Sequence, residues 1–476
     1  MTISRRKLLL GAGAGIAVAG AGAALTPMLL REGTLGSSES RALHVDGQQS
    51  ALPSSADVVI VGGGIIGICS AMFLSERGMK VVVCEKGAVA GEQSGRAYSQ
   101  IISYDMVPEV MPLALRGKEL WRGMNERIGA DTSYRTQGRV QTYETEEGLE
   151  DARAWLAAAK EKLGDTVDFP TRFIEGEELG RRLPDARTAW SIGGFEEDSG
   201  SVDPETGVPM IARYIQSQGV PIFTNCAVRG IETEGGRVSG VITEKGPIRA
   251  PVVVLASGVW SRLFLGNLGV NLPVLQIYLS QQRLSRPEGS PPRGNGHIGS
   301  TVYYREQADG TYANAPRIVT ASIVRDNFEL LGKFLPAMFD DRGLGLPIYL
   351  ALNSDFTRSL QTPRHWKMDE MTPFEQMRIA APNPNTEHLD YALKNLRNEF
   401  PVFATSKVIE RWGGCINITA DHVPVISPID AYPGLVNATG FAFGMTQGPA
   451  AAELIADMVT GATPRVDPAP FHLSRL

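Results

Sequence analysis

The run Asp57-Val58-Val59-Ile60-Val61-Gly62-Gly63-Gly64-Ile65-Ile66-Gly67 decides the fold. An apolar stretch of strand length feeds directly into Gly-x-Gly-x-x-Gly, and the Ala- and Leu-containing residues that follow, to about Arg77, continue as a helix. A second apolar strand, Lys80-Val81-Val82-Val83-Cys84, ends on Glu85. In such a unit Gly62 makes the tight turn, Gly64 lets backbone approach a pyrophosphate, Gly67 allows the helix to pack closely, and Glu85 can accept hydrogen bonds from a ribose. Strand, helix, second strand and terminal acid stand at the spacing a dinucleotide needs, which a merely glycine-rich turn does not supply.

Composition sets the frame around this unit. With 46 Lys+Arg against 52 Asp+Glu, the 476 residues carry a formal net charge of −6, and 43% are apolar. A disordered or fibrous chain is excluded, and the length allows roughly two or three domain-sized units. No nucleic-acid partner is expected, because phosphate neutralisation needs a basic excess. The cysteines (Cys69, Cys84, Cys226, Cys415) contain no Cys-x-x-Cys pair and the histidines are scattered, so no metal site is expected and the cofactor should be organic.

Ahead of the fingerprint, Ser4-Arg5-Arg6-Lys7 precedes an uncharged stretch, residues 8–30, closed by Arg31-Glu32. The arginine pair resembles a twin-arginine export signal. At about 1.5 Å per residue the stretch is long enough to span a bilayer as a helix. Residues 1–31 therefore read as a hydrophobic helix retained as a membrane anchor, with cleavage near Ala21-Gly22-Ala23 as the alternative. Residues 32–55, rich in Ser, Gly and Gln, read as a linker.

The fingerprint alone does not separate a nicotinamide from a flavin dinucleotide. Further along, Gly91-Glu92-Gln93-Ser94-Gly95-Arg96-Ala97-Tyr98-Ser99-Gln100 supplies a second polar, glycine-bearing segment that can follow a longer cofactor. A hairpin around Gly236-Arg237, a buried strand ending Ala256-Ser257-Gly258-Val259-Trp260, and a C-terminal glycine turn at Asn437-Ala438-Thr439-Gly440-Phe441-Ala442-Phe443-Gly444-Met445-Thr446 complete the order. That order resembles the D-amino-acid oxidase, sarcosine oxidase and glycine oxidase superfamily. Within it the chain is similar to the membrane-associated bacterial L-amino-acid deaminases, through Leu25-Thr26-Pro27-Met28-Leu29, Tyr134-Arg135-Thr136-Gln137-Gly138, Gly194-Phe195-Glu196-Glu197-Asp198, Gln307-Ala308-Asp309-Gly310 and Asp467-Pro468-Ala469-Pro470-Phe471.

The expected fold is α/β, with a Rossmann-like FAD-binding domain (52–110, 195–265 and 400–476) interleaved with an antiparallel-sheet substrate domain (111–194 and 266–399). The resemblance adds a small helical insertion module at 324–385. Helix-period segments fall at 111–128 and 147–163, and the Pro- and Gly-rich stretch 283–297 reads as a mobile loop. The resemblance also implies FAD, held non-covalently, along Gly62, Gly64, Ile65, Ile66, Gly67, Glu85, Lys86, Gln93, Ser94, Arg96, Gln100, Val228, Ser257, Gly258, Trp260, Gly440, Gly444, Met445 and Thr446. Cys415 lies in a stretch where some sarcosine oxidases attach flavin covalently.

Oxidising an α-amino acid requires its Cα hydrogen to be set over the flavin with the amine neutral, so positioning is the protein's main task. A bidentate arginine suits the carboxylate. Arg317, in Ala315-Pro316-Arg317-Ile318-Val319, stands at the family's carboxylate-binding position, and Gln100 resembles a residue near the flavin ring and substrate. Phe443 would form an apolar wall, where the family pattern carries a tryptophan. Read without the resemblance, Arg317 is an edge-strand arginine and Phe443 ordinary packing. The expected activity is oxidative deamination of L-amino acids, large apolar or aromatic ones, to α-keto acids and ammonium. Electrons are expected to pass to a membrane quinone or cytochrome rather than oxygen, with the catalytic part on the periplasmic side of a bacterial inner membrane. Two rivals stand beside it: a D-amino-acid or sarcosine-type dehydrogenase, and a flavin-binding membrane protein without turnover, which need not keep Arg317 and Gln100 together.

Overall fold

The computed structural model describes residues 35–37, 39–104, 106–164, 169–289, 296–338 and 348–476. The arginine pair and the hydrophobic stretch expected as an anchor lie outside them, as does the centre of the Pro- and Gly-rich loop. Among the described residues no helix is long and apolar enough to cross a membrane.

Short runs of Val and Ile make the central strands Val58–Val61, Val81–Cys84 and Val252–Leu255. Their apolar residues are continuous rather than alternating because both faces of a parallel sheet are covered. The six-stranded sheet runs in the order Ile222–Phe223, Val81–Cys84, Val58–Val61, Val252–Leu255, Leu435–Thr439, Val425–Pro428. All its pairs are parallel except the last. On it lies the helix Ile65–Glu76, buried without interruption from Ile65 to Leu74. A helix apolar all round must be covered on all sides, and this one packs against Gly444–Thr460 and Pro204–Ser217. The helix Met111–Ile128, which agrees with the sequence periodicity, lies across Gly444–Thr460 and ends at Gly129 in the left-handed region (φ 63°). The second periodic segment is the helix Glu146–Leu163, whose Gly148 N–H donates to the Thr145 cap.

A second, ten-stranded sheet carries the other half of the molecule. Its longest ladder pairs Leu275–Leu284 with Val408–Ile418. It is mixed rather than purely antiparallel: Gly296–Ile298 runs parallel to Arg139–Thr142, and Val319–Ser322 to Ile348–Ala351. The region read as a helical module contains the helices Arg325–Glu329, Leu331–Met338, Ser354–Gln361 and Pro373–Gln376. It also contributes the edge strand Ile348–Ala351, whose backbone is satisfied by the sheet.

The stretch read as a linker is docked along the body. Leu35–Ser37 pairs antiparallel with Ala380–Pro382, Leu43 N–H donates to Glu205 O, and Gln48 N–H donates to Ile222 O. Arg41 lies 3.8 Å over the Trp412 ring while bonding Glu410 at 2.6 Å. The absence of an apolar period concealed this, because the segment is held mainly by backbone bonds and by the guanidiniums of Arg41, Arg96 and Arg213, and among its described residues Val45 alone is buried in the main core.

Where the two sheets meet, Lys118 and Glu196 form a buried ion pair at 2.6 Å, their side chains 0% and 1% exposed. Glu196 Oε1 also accepts from Ser103 N–H (2.7 Å) and Ser103 Oγ–H (2.6 Å), and Arg139 stands at 4.0 Å. Burial opposes ionisation of Glu196, yet Lys118 and Arg139 outweigh it and hold the carboxyl below the usual glutamate range. Removing one partner of such a pair strands the other charge. Lys118→Met is expected to lose about 3–5 kcal/mol of stability, measured by urea unfolding. In the native protein the contribution of Glu196 is complete above the ordinary glutamate pKa of about 4.3 and is lost as pH falls below it through the folded value.

Candidate active site

The turn after Val58–Val61 is closed to any side chain. Gly62 has φ +114°, and a Cβ there would lie 2.5 Å from Ala256 O. A Cβ on Gly67 would lie 2.0 Å from Gly62 O, so only glycine lets the first turn of the helix sit against the strand end. The helix N-terminus is thereby aimed along the sheet edge, with N–H groups available for an anion. Ser94 Oγ already accepts from Ile65 N–H at 2.9 Å. At the end of Val81–Cys84, Glu85 accepts from Gly63 N–H through Oε2 and from Gly87 N–H through Oε1, both at 2.7 Å. Burial pushes this carboxyl above the usual range, against the pull of Lys86 and the two amides.

From this turn a long cavity runs to the C-terminal glycine turn. Its wall includes Gly62, Gly64, Ile65, Ile66, Glu85, Lys86, Gln93, Ser94, Val228, Ser257, Gly258, Trp260, Gly444 and Met445. Gly67 lies beneath the turn. Arg96 is directed to the carbonyls of Gly91, Gly413 and Glu39 at 3.0–3.3 Å. Gly440, at φ +82°, forms the turn behind the wall and donates to Asn417 Oδ1 at 3.2 Å.

Two wall residues stand out that the sequence reading passed over. Glu92 accepts from Lys86 Nζ (2.6 Å), Trp260 Nε1 (2.9 Å) and Ala380 N–H (2.7 Å), and Lys86 Nζ lies 4.6 Å over the Trp260 ring. Asn417 Nδ2 donates to Gly258 O at 2.9 Å and bonds Thr439 Oγ1 at 2.5 Å, tying both glycine turns together. The available signal was an amide inside the otherwise apolar Ile416-Asn417-Ile418.

Next to Met445 but outside the cavity lining, Thr446 Oγ–H donates to Gln100 O and accepts from Ile102 N–H, both at 3.1 Å, while Gln100 Oε1 accepts from Tyr303 O–H at 3.0 Å. Gln100 is thus fixed by both its backbone and its amide. Phe443 is half-buried at the start of the C-terminal helix and packs on the main core; its neighbours Phe441 and Ala442 line the cavity. Arg317 is half-buried two residues before the strand Val319–Ser322. Val319 and Ala321 belong to an apolar cluster with Ile277, Phe334 and Ile418, against which Leu279, Ile416 and Ala442 pack. Ile416 and Ala442 also line the cavity, so the cluster adjoins it. Burial pushes the nearby His297 down to about 3, with the charges of Arg139 and Arg317 adding to the effect.

A long cavity with an anion-accepting helix end, a carboxylate at one extreme and an apolar turn at the other fits a flavin dinucleotide. Residues 57–458 match the family described as FAD dependent oxidoreductase. The chain belongs to that family. This oxidoreductase is also similar to the solved structure of the L-amino acid deaminase from Proteus myxofaciens in complex with anthranilate, at 55% identity, TM-score 0.90, over 94% of this chain and 100% of that one. The L-amino acid deaminase from Proteus vulgaris matches at 46% identity and TM-score 0.87, over 91% and 100% of the two chains. A glycine oxidase of Pseudomonas putida is 25% identical over 88% of this chain and 98% of its own. The protein is therefore an enzyme with FAD as its cofactor. Gly67→Ala should abolish flavin retention, since the new methyl meets backbone rather than a movable side chain; the check is the visible flavin absorbance of the purified protein relative to its protein absorbance.

Proposed function

We propose that this oxidoreductase deaminates L-amino acids with large apolar or aromatic side chains. The carrying observation is the apolar cluster of Ile277, Val319, Phe334 and Ile418 that adjoins the cofactor cavity on the strand entered by Arg317. Identity of 46–55% to two L-amino acid deaminases along nearly the whole chain supports the same reading.

When bound, FAD supplies a hydride acceptor for the substrate Cα–H. The chain's own residues do the placing. Arg317 holds the substrate carboxylate through a charge-assisted fork. Gln100, fixed by Thr446 and Tyr303 behind the cavity wall next to Met445, holds the backbone there in place. Leu279, Phe334 and Ile416 receive the side chain and keep water from it, with Phe443 as a further apolar wall. No acid or base is assigned, because hydride transfer from a neutral amine needs none. The imine then hydrolyses to an α-keto acid and ammonium. Cys415 is buried, accepts from Gln276 Nε2 at 2.8 Å and does not line the cavity, and burial pushes its thiol pKa up, all of which suits non-covalent flavin.

Anaerobic mixing with L-phenylalanine or L-leucine is expected to bleach the flavin, and the D-forms to leave it oxidised; bleaching by D-forms alone would replace this reading with a D-amino-acid dehydrogenase. Arg317→Ala should keep its flavin and weaken L-amino-acid binding by about 1.5–3 kcal/mol.

We further propose a bilayer-bound enzyme on the periplasmic side of the bacterial inner membrane, passing electrons to a membrane acceptor. Between residues 328 and 360 the chain carries several exposed large apolar side chains, Phe328 (63%), Leu331 (52%), Leu335, Ile348, Leu350, Leu352 and Leu360 (55%), and Phe328 contacts Phe356 on the helix that bears Leu360. Such a patch has no reason to face water, and with the hydrophobic N-terminal stretch it suits a membrane face. The triple variant Phe328→Ser, Leu331→Ser, Leu360→Ser should sediment less with phosphatidylethanolamine–phosphatidylglycerol vesicles, while bleaching by L-amino acids persists.

A further inference from the structure

A second cavity lies against the first and shares Val259, Trp260 and Asn417 with it. An occupant of one is therefore separated from an occupant of the other by single side chains. The far wall comes from the helix Ser354–Gln361, through Arg358 and Ser359, and from Thr362 that ends it. The same helix carries Leu360 on the exposed apolar face, and its Phe356 packs against Phe328 of that face. The cavity thus sits between the cofactor and the patch proposed to meet lipid.

The charges around it are paired, but Arg262 Nε and Arg364 Nε are buried with no hydrogen-bond partner among the described residues, which leaves two N–H donors for a ligand oxygen. Arg262 pairs with Asp326 (3.2 Å) and Glu329 (2.9 Å), Arg364 with Asp326 (2.7 Å), and Arg358 with Asp355 (3.1 Å). Asp355 also accepts from Tyr278 O–H and Leu35 N–H, each at 2.9 Å. Each of these arginines is already neutralised by a carboxylate, so the site offers N–H donors without a net positive charge and suits a neutral carbonyl-bearing molecule. Trp260 and Leu263 offer flat or apolar surface for a ring, and the Gln276 amide, whose Nε2–H among the described residues meets the weak acceptor Cys415 Sγ at 2.8 Å, can donate to a carbonyl.

We propose that this second cavity binds the ring of a membrane quinone, which reoxidises the flavin. The quinone gains two electrons and two protons and becomes the quinol, and the flavin returns to its oxidised form, which balances the two electrons removed from each substrate. The proposal rests on the membrane-acceptor half of the reading above and not on which amino acid is oxidised.

Thr362→Trp fills the cavity from the wall remote from the cofactor, and Gln276→Leu removes the donor at similar volume. The probe is soluble dimethoxymethylbenzoquinone, titrated calorimetrically into the oxidised holoenzyme. In a second measurement the flavin is reduced by dithionite, and its reoxidation by the same quinone is compared with reoxidation by ferricenium. The expected result is binding by the native enzyme, weakened at least about tenfold in Thr362→Trp and severalfold in Gln276→Leu, with the quinone-to-ferricenium rate ratio falling in step. Absence of binding by the native enzyme, or an unchanged affinity and rate ratio in both flavin-loaded variants, overturns the proposal. Because dithionite replaces the amino acid, failure of the deaminase reading appears separately, as no bleaching by L-amino acids.

Discussion

The close contact between the carbonyl of Gly62 and the first turn of the following helix governs the rest of the molecule. With a Cβ-to-oxygen distance of 2.0 Å for any larger residue at Gly67, the helix can approach the strand end only at this residue pair. Once it does, the N–H groups of Gly63 and Ile65 are presented at the sheet edge, and Glu85 and Ser94 are brought in to meet them. The helix is apolar on every face, so closing this turn also obliges the C-terminal helix Gly444–Thr460 to cover it. That same helix brings Thr446 to the backbone of Gln100. One steric allowance thus couples the dinucleotide end of the cavity to the wall next to Met445.

Charge is used here mainly to hold distant segments of chain together. Glu92 gathers Lys86, Trp260 and Ala380; Arg96 gathers carbonyls from Glu39, Gly91 and Gly413; Glu196 gathers Lys118 and Ser103. Buried ionic groups of this kind add little net stability compared with an apolar replacement, but each demands its own partners.

Legibility followed sequence distance. Gly62, Gly64, Gly67 and Glu85 could be read because their jobs are local, a turn and the strand beside it. The helix Met111–Ile128 could be read because its apolar period and terminal glycine lie within its own span. Glu92 and Asn417 could not, since their roles depend on Trp260, Ala380, Gly258 and Thr439, which only the fold brings near. Arg96 illustrates the ambiguity in a single residue: a guanidinium in a glycine-rich segment suits a phosphate, yet here it meets three carbonyls. The docked stretch near Arg41 was silent because backbone pairing leaves no pattern in side-chain type.

The strand Leu435–Thr439 lies between Val252–Leu255 and Val425–Pro428, and the cavity wall is completed only by Met445. The fingerprint turn near Gly62 can form locally, but the cavity closes only when the strand Leu435–Thr439 joins the same sheet and brings the start of Gly444–Thr460 with it. The flavin site is therefore a joint product of segments far apart in the chain, and neither the fingerprint unit nor the C-terminal turn encloses the cofactor by itself.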